Sequence, residues 1–157
     1  MDNFIDIDLY KKIVESVPIM SVDVVVFNEN LTKTLLFLRN NEPCKGEYYT
    51  LGGRLNKNES ILDCAKRKLI DEIGLDVKES ELVQIGFVEE KFNNSFYSEE
   101  VSSHFVNVVY ALVINDTHEI TLDKQHSSFK WFDVSDKTMY KFVYRKVQMS
   151  YNLLSKK

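Results

Sequence analysis

The segment between Gly53 and Gly74 combines glycines with charged side chains on a predicted helix. A glycine loop leads into this helix, which carries Glu59, Arg67 and Glu72 among its charged residues. Carboxylate oxygens suit Mg²⁺, which proteins usually hold through one or two carboxylates together with substrate phosphates. The segment therefore indicates a site for a divalent cation and a phosphorylated ligand.

An alternative is that these residues form only the solvated face of an amphipathic helix. Arg67 with Asp71, and Lys68 with Glu72, are four residues apart, and such pairs stabilise a helix by only about 0.2–0.5 kcal/mol each. An isolated glutamate and arginine would favour this alternative. Against this alternative, the adjacent glycines Gly52 and Gly53 precede the helix and Gly74 ends it, at the spacings from the charged residues that such a site would need.

The whole segment, GRLNKNESILDCAKRKLIDEIGL from Gly53 to Leu75, resembles the Nudix box. The box is written G-x5-E-x7-R-E-U-x-E-E-x-G-U, where U is a bulky apolar residue. Two positions depart from it: Lys68 replaces a glutamate that helps to hold metal, and Asp71 replaces a longer glutamate. The resemblance implies an α/β chain with the Nudix fold, a mixed β-sheet sandwiched between helices, in a single domain over residues 1–157.

The chain further resembles the GDP-mannose mannosyl hydrolase branch, which lacks the same glutamate and keeps the last one of the box. This resemblance runs from Phe4 to about Leu154. It is carried by VPIMSVD (17–23), LLFLR (35–39), GEYYTLGGRLNKNES (46–60), EIGL (72–75) and KQHSSFKWF (124–132). It implies hydrolysis of GDP-mannose, or another GDP-sugar, to GDP and free sugar through inverting attack of water at the anomeric carbon.

Two other functions remain open. One is a Nudix pyrophosphohydrolase that cleaves a nucleoside diphosphate sugar at phosphorus, and the other is an inactive Nudix module that only binds a nucleotide. Lys68 speaks against the first, since an intact box would carry glutamate there. Glu72 speaks against the second, because that carboxylate is retained.

The resemblance implies a metal site and a general base near the end of the chain. Mg²⁺, with Mn²⁺ as an alternative, would be held by the Gly52 carbonyl, the Glu72 carboxylate and the Gln125 side-chain oxygen. His126 would be the base, because an imidazole with an unperturbed pKa near ~6.5 is neutral and basic near pH 7. Alone, the Gln125–His126 pair would be an ordinary surface loop.

Three arginines are candidates for binding the diphosphate. Arg39, Arg54 and Arg67 carry guanidinium groups, which match phosphate oxygens bidentately. Arg39 is equally compatible with the exposed edge of a strand. Arg67 is also compatible with a salt bridge to Asp71 or Glu59, and both uses can coexist.

The resemblance also assigns residues to the nucleotide and to a second subunit. Phe4 and Ile5 would contact the guanine and be covered by the partner in a homodimer. Asp8 would hydrogen-bond the guanine, although it is one position out of register and fits an N-cap better. Phe105 stands where the branch has a tyrosine, so a hydroxyl contact to the substrate is lost.

Composition limits the remaining function classes. The chain has 157 residues, 20 basic and 24 acidic side chains and a formal net charge of −4, which argues against a basic surface for nucleic acid. No apolar run approaches the ~20 residues of a membrane span. The acidic N-terminus does not resemble a secretory signal, and two cysteines are too few for a disulfide framework. We expect a cytoplasmic protein that binds a small nucleotide sugar.

Hydrophobic periodicity and Gly and Pro punctuation predict three helices and five or six strands. Asp8 is the predicted N-cap of the first helix, Asn58 or Ser60 that of the second, and Gly74 its end. The predicted helices cover 9–17, 59–73 and 137–154. The predicted strands cover 19–28, 34–39, 48–51, 82–92, 104–114 and 129–134, the first two forming a hairpin.

The role of His126 yields the first prediction. His126→Gln should cut turnover of GDP-mannose by about 10²–10⁴-fold, the usual range for loss of a general base. Affinity for Mg²⁺ and GDP should change little, and the acid limb of the wild-type rate profile should follow one group near the histidine range. His118→Gln is the matched control and should retain activity. If His126→Gln stays active while Glu59 or Asp71 proves essential, the base lies in the helix.

Overall fold

The computed structural model of the chain describes residues 4–115 and 128–157. The described helices are α1 (Ile7–Ser16), α2 (Ile61–Ile73) and α3 (Lys141–Leu154). The described strands are β1 (Ile19–Phe27), β2 (Lys33–Leu38), β3 (Tyr48–Tyr49), β4 (Leu51–Arg54), β5 (Leu82–Phe92), β6 (Ser103–Val113) and β7 (Phe129–Asp133). None of these three helices is long and apolar enough to cross a membrane.

The strands form one mixed sheet around β1, in the order β3-β2-β1-β6-β5. β1 runs parallel to β6 along its whole length, and β5 pairs with β6 in the antiparallel sense. On its other edge β1 pairs with β2 near its end and with β4 near its start, both antiparallel. The predicted β1–β2 hairpin is therefore confirmed.

β1 is buried on both faces because its β-branched residues point alternately to two separate cores. Val22, Val24 and Val26 lie in the core that contains the apolar residues of α2. Val25 and Phe27 lie in the core that contains the apolar residues of α3. The sheet is thus sandwiched between helices, as predicted.

The segment over residues 48–54 differs from the single short strand that we predicted. It forms two strands: β3 pairs with β2, and β4 pairs with β1. The described residues therefore contain seven strands, more than the five or six predicted. Because the chain passes from β2 to β1 between these two strands, Gly52 and Gly53 of β4 pair directly with the central strand β1.

The start of the first helix also differs from the prediction. Asp6 is the N-cap, and its Oδ1 accepts hydrogen bonds from the backbone N–H groups of Asp8 (3.1 Å) and Leu9 (3.3 Å). The assignment of Asp8 as the cap is therefore wrong. The sequence offers two aspartates two residues apart, and the helix begins after the first of them. Asp8 lies in the first turn, where its charge favours the helix dipole.

The last helix begins later than predicted, at Lys141. Asp136 precedes it in a turn and accepts hydrogen bonds from the Thr138 backbone N–H (2.8 Å) and hydroxyl (2.6 Å). Such local side-chain contacts compete with helical hydrogen bonding. Met139, which falls within the helix predicted over 137–154, is buried but lies in the segment that precedes α3.

The caps of α2 resolve a choice that the sequence left open. The Ser60 hydroxyl accepts a hydrogen bond from the Asp63 backbone N–H at 3.0 Å. Asn58 instead has a positive φ of 66° in the preceding turn. Gly74 ends the helix in the left-handed conformation with φ 67°, which glycine adopts without a steric penalty.

Removal of the Ser60 cap tests this local structure. Ser60→Ala should lower the free energy of unfolding by about 1 kcal/mol, because the Asp63 N–H loses its acceptor. Ser60→Asp should keep most of that stability, since a carboxylate can accept the same hydrogen bond. Urea denaturation of the three proteins measures the difference. Equal stability of Ser60→Ala and wild type would show that the cap contributes nothing.

Candidate active site

A cavity of about 280 Å³ opens on the face of the sheet that packs against α3. Residues two apart on a strand point to the same face of the sheet. Asp23 lies two residues before Val25, and Asn107 two residues before Val109. Val25 and Val109 belong to the core beneath α3. The apolar part of this face is thus covered by the helix, and its polar part lines the cavity.

Four of the residues that we predicted for metal or substrate binding contribute to the lining of this cavity: Arg39, Gly52, Arg54 and Phe105. The lining comes from several elements, since β1, β3, β4, β5 and β6 all contribute residues. The loop between β2 and β3 and the loop between β5 and β6 supply others. Residues distant in sequence therefore converge on one concave surface, which is typical of a ligand site.

Two guanidinium groups are fixed at this cavity. Arg39 Nε donates to the Pro43 carbonyl at 2.8 Å, and the Arg39 guanidinium lies 5.6 Å from the centre of the Tyr49 ring. The Arg54 guanidinium lies 5.8 Å from the centre of the Tyr10 ring. Contacts of this kind hold the two guanidinium groups, which match phosphate oxygens in shape, at the lining of the cavity.

Arg67 occupies a different position from the other two arginines. It forms a two-pronged salt bridge with Glu59, with Nε–Oε1 at 2.6 Å and Nη2–Oε2 at 3.0 Å. Arg67 Nη2 also donates to the Arg54 carbonyl at 3.2 Å, so it fastens α2 to the end of β4. Its hydrogen bond holds the pKa of Glu59 below the usual range. Arg67 is not one of the described residues that line the cavity. Its binding of phosphate stays a prediction.

Lys68 pairs directly with the last carboxylate of the motif. Lys68 Nζ lies 2.6 Å from Glu72 Oε1, and the two side chains are only 18% and 7% exposed. The stem of Lys68 packs against the backbone of Gly53, where an added Cβ would lie 2.8 Å from both Cδ and Cε. The departure from the box therefore places an ammonium group beside Glu72 and the double glycine.

Two of the three predicted metal ligands, Gly52 and Glu72, lie within the described residues. Gln125 and the predicted base His126 lie outside them. Within the described residues, 4–115 and 128–157, no group of three or more His, Cys, Asp or Glu side chains is suited to a metal. A carbonyl and one carboxylate are nevertheless oxygen donors that fit Mg²⁺ or Mn²⁺, which suits a site needing few carboxylates. Such an ion would compete with Lys68 for Glu72.

The residues predicted to contact the base lie away from the cavity. Phe4 is 92% exposed, and Asp8 is exposed in the first turn of α1. Ile5 is partly exposed, and none of the three lines the cavity. Their contact with guanine and with a partner subunit stays a prediction.

A buried charge cluster beneath the cavity was missed by the sequence analysis. Lys146 of α3 is fully buried, and its Nζ lies 2.7 Å from Asp23 Oδ2 and 2.9 Å from Glu90 Oε1. The Tyr49 hydroxyl donates to Glu90 Oε1 at 2.5 Å. The sequence contains a sign of one member of the cluster, because Asp23 is a charged residue inside an otherwise β-branched strand and so requires a buried partner.

The ionisation of this cluster follows from its geometry. Burial on its own would lower the pKa of Lys146, but Asp23 and Glu90 outweigh it and raise that pKa. Burial, followed by the charge of Glu90, raises the pKa of Tyr49. The two acidic partners therefore favour the charged form of Lys146, and the Tyr49 phenol stays protonated and donates its hydrogen bond to Glu90.

A model of the NUDIX domain matches residues 17–150, which is most of the chain. The chain belongs to the NUDIX family. The box resemblance found in the sequence is thereby supported at the level of the family, with the loop and helix in the expected place.

The chain is similar in sequence to a protein of known name and similar in structure to several solved NUDIX proteins. The low-salt glycan biosynthesis protein Agl8 of Haloferax volcanii is 33% identical over 139 residues, covering 88% of this chain and 85% of Agl8. The MutT NUDIX hydrolase of Burkholderia pseudomallei has a TM-score of 0.69 at 16% identity, covering 85% of this chain and 98% of that one.

A third similar structure is the NUDIX domain of Shewanella oneidensis NrtR, solved in complex with ADP ribose. It has a TM-score of 0.69 at 19% identity, covering 97% of this chain and 94% of that one. At such identities the two structures support the fold alone. The predicted α/β NUDIX fold is confirmed.

The ion pair of Lys68 generates a prediction about metal binding. Lys68→Met should tighten binding of Mn²⁺ by about 5-fold or more, because removing a competing cation beside Glu72 is worth about 1 kcal/mol. Electron paramagnetic resonance of free Mn²⁺ measures this without catalysis. Lys66→Met, which removes the same charge from a neighbouring position of α2, is the control. Equal affinities of the two variants would show that Lys68 does not compete.

The two glycines should differ in their tolerance of a side chain. A Cβ at Gly52 would lie 1.9 Å from Asp23 Oδ1 and 2.8 Å from the Val22 carbonyl oxygen, so backbone or buried charge must move. A Cβ at Gly53 meets only the flexible end of Lys68. Gly52→Ala should therefore cost about 1–3 kcal/mol of stability in urea denaturation, and Gly53→Ala clearly less. The reverse order would contradict this geometry.

Proposed function

We propose that this NUDIX protein hydrolyses GDP-mannose, or a related GDP-sugar, to GDP and free sugar with the help of Mg²⁺. The observation that carries the proposal is the composition of one cavity. It combines Arg39 and Arg54, which suit a diphosphate, with Asp23 and Glu90, whose carboxylates suit the hydroxyl groups of a sugar. One concave site therefore offers hydrogen-bond donors for the diphosphate and acceptors for the sugar of a nucleotide sugar.

The similar proteins are compatible with this substrate class. The name of the Haloferax volcanii relative, low-salt glycan biosynthesis protein Agl8, places that protein in glycan biosynthesis. The Shewanella oneidensis NUDIX domain was solved with ADP ribose, a nucleoside diphosphate joined to a sugar. Neither identifies the substrate of this chain, but both agree with a nucleotide sugar.

The proposed reaction is attack of water on the anomeric carbon of the sugar. His126 takes the proton of the water, which attacks from the face opposite to GDP, and the configuration at carbon inverts. The C–O bond to GDP breaks with its electron pair on the diphosphate. Inverting glycosidases usually need a second carboxyl group as acid, but the diphosphate is already a good leaving group.

The charge that develops on the departing diphosphate would be stabilised at the arginine side of the cavity. Arg39 and Arg54 are oriented there before substrate binds, so they need little rearrangement as the bond breaks. A bound divalent cation supplies further neutralisation of the diphosphate. Gly52, Glu72 and Gln125 are the residues that we propose to hold it.

Lys68 supports attack at carbon over attack at phosphorus. The glutamate that normally stands there helps to hold metal in ordinary members of the family, and here it is replaced by a cation paired with Glu72. Loss of that carboxylate weakens the metal site on which phosphorus attack depends. We therefore propose the mannosyl hydrolase reaction ahead of a pyrophosphohydrolase reaction.

Product analysis in ¹⁸O-labelled water tests the proposal. Wild-type protein with GDP-mannose and Mg²⁺ should give GDP and mannose, with the label in the sugar hydroxyl. GMP and mannose 1-phosphate would show attack at phosphorus, and absence of turnover would show a binding module. Lys68→Glu should keep the GDP and mannose products, while a switch to GMP would show that the box alone decides the cleavage site.

We also propose a homodimer in which the partner subunit covers the N-terminal segment. Phe4 is 92% exposed, and Ile7 and Leu9 of α1 are about half exposed. Sedimentation at micromolar concentration should give a dimer, and Phe4→Asp should weaken it because a charge would enter an apolar interface. Lys12→Asp, a charge change on the same helix, is the control. A monomeric wild-type protein would contradict this proposal.

A further inference from the structure

We propose that Glu90 is a substrate-binding residue that accepts a hydrogen bond from a hydroxyl group of the sugar, and that Lys146 is the residue that positions it. The inference rests on the proposed function, because it names the contact that distinguishes a nucleotide sugar from a nucleoside diphosphate. The supporting observations are the position of Glu90 at the cavity, its hydrogen bonds and the charge around it.

Three donors hold the Glu90 carboxylate in one orientation. Oε1 accepts from the Tyr49 hydroxyl at 2.5 Å and from Lys146 Nζ at 2.9 Å, and Oε2 accepts from the Asn107 side-chain amide. An ionised carboxylate offers about four acceptor sites. The described residues use three of them, and Glu90 itself lines the cavity. An acceptor fixed in this way favours a ligand that brings a hydrogen-bond donor.

Lys146 lies behind this surface and does not reach the cavity. Its burial is costly for stability, since buried ion pairs are often no more stable than apolar side chains of similar volume. A purely structural link between α3 and the sheet would not need to end at a cavity. The position of both carboxylate partners, Asp23 and Glu90, on the cavity lining points to a role in binding.

The charge of the floor decides which half of the substrate lies there. Asp23 and Glu90 carry two negative charges against the single positive charge of Lys146, so this part of the cavity repels phosphate. Arg39 and Arg54 line the same cavity, and their guanidinium groups attract phosphate. The group that meets Glu90 is therefore uncharged and rich in hydroxyl groups, as a hexose is.

Aromatic rings complete a surface suited to a sugar. Phe92, two residues after Glu90 on β5, lies with its ring centre 6.1 Å from that of Phe105, and both residues line the cavity. A hexose has polar edges and apolar C–H faces, so it can donate to Glu90 while a face packs on an aromatic ring. Phe105 supplies such packing even though it lacks the hydroxyl of a tyrosine.

The experiment compares binding of GDP-mannose with binding of GDP by isothermal titration calorimetry in Mg²⁺. Every protein in it, the wild-type reference included, carries His126→Gln, so that GDP-mannose is not hydrolysed during the titration. Glu90→Gln keeps the shape of the side chain and removes its charge. It should weaken GDP-mannose by about 10- to 100-fold, the range for a hydrogen bond to a charged group, and leave GDP within about 2-fold. Lys146→Met should give the same selective loss, because Glu90 loses its positioning partner.

Glu89→Gln is the matched control. Glu89 is the preceding residue of β5, its side chain is about half exposed, and it pairs with His104 at 2.9 Å. This variant should bind both ligands as wild type does. Circular dichroism checks the fold of each variant, and Glu90→Gln alone decides the matter if Lys146→Met does not fold.

A set of GDP-mannose analogues, each lacking one sugar hydroxyl, then identifies the contact. One analogue should bind wild-type protein weakly, and that loss should largely disappear in Glu90→Gln, because both changes remove the same hydrogen bond. Equal weakening of GDP and GDP-mannose by Glu90→Gln, or a loss that Glu89→Gln reproduces, would overturn the assignment.

The two proposals fail in different ways. If wild-type protein prefers GDP-mannose to GDP and Glu90→Gln keeps that preference, only the assignment of Glu90 is wrong. If Glu90→Gln abolishes the preference but the products are GMP and mannose 1-phosphate, the reaction is wrong and the sugar contact stands. If the protein neither binds nor hydrolyses GDP-mannose, both are wrong.

Discussion

The buried ammonium group of Lys146 is the interaction on which the arrangement of the site depends. It links α3 to Asp23 on the central strand and to Glu90 on β5, so three elements distant in sequence are held at one point. Removing one partner of such a cluster leaves a buried charge without compensation, which is far more costly than the net stability of the intact cluster. The cluster therefore lies at the boundary between the part of the sheet that α3 covers and the part that lines the cavity.

The division of one sheet face into an apolar part and a polar part follows from side-chain alternation. On β1, Val25 and Phe27 face the core under α3, and Asp23 faces the same side nearer the start of the strand. On β5 and β6, Glu90 and Asn107 likewise lie two residues from the buried Val88 and Val109. One part of each strand therefore contributes to the apolar core, and another part lines the cavity.

The sequence predicts the fold well, because its signals are local and strong. The β-branched run of β1, the stripe of α2 and the left-handed Gly74 each lead to one structure. The errors have local causes too: Asp6 takes the cap assigned to Asp8, and the turn at Asp136 delays α3. Helix boundaries depend on competing hydrogen bonds that periodicity does not describe.

The site is less accessible to prediction than the fold. The resemblance and the choice of arginines as phosphate ligands lead to Gly52, Arg39 and Arg54, which the structure brings to one cavity. They do not lead to Lys146, because an isolated lysine on a helix is usually solvated and only tertiary packing shows that it is fully buried. Contacts between Asp23 and a residue more than 120 positions away carry no local signature.

The Lys68–Glu72 pair has a consequence for the protein before any ligand arrives. Clustered carboxylates repel one another without a cation, so sites built from them gain stability when metal binds. Here the last box carboxylate is already neutralised by a residue of its own helix. Glu72 therefore has a compensating cation on its own helix without any metal. Under the proposed function, a divalent cation would have to displace the Lys68 ammonium from Glu72, and the diphosphate would supply negative charge with which that ammonium could pair. Metal loading would then be tied to the arrival of substrate.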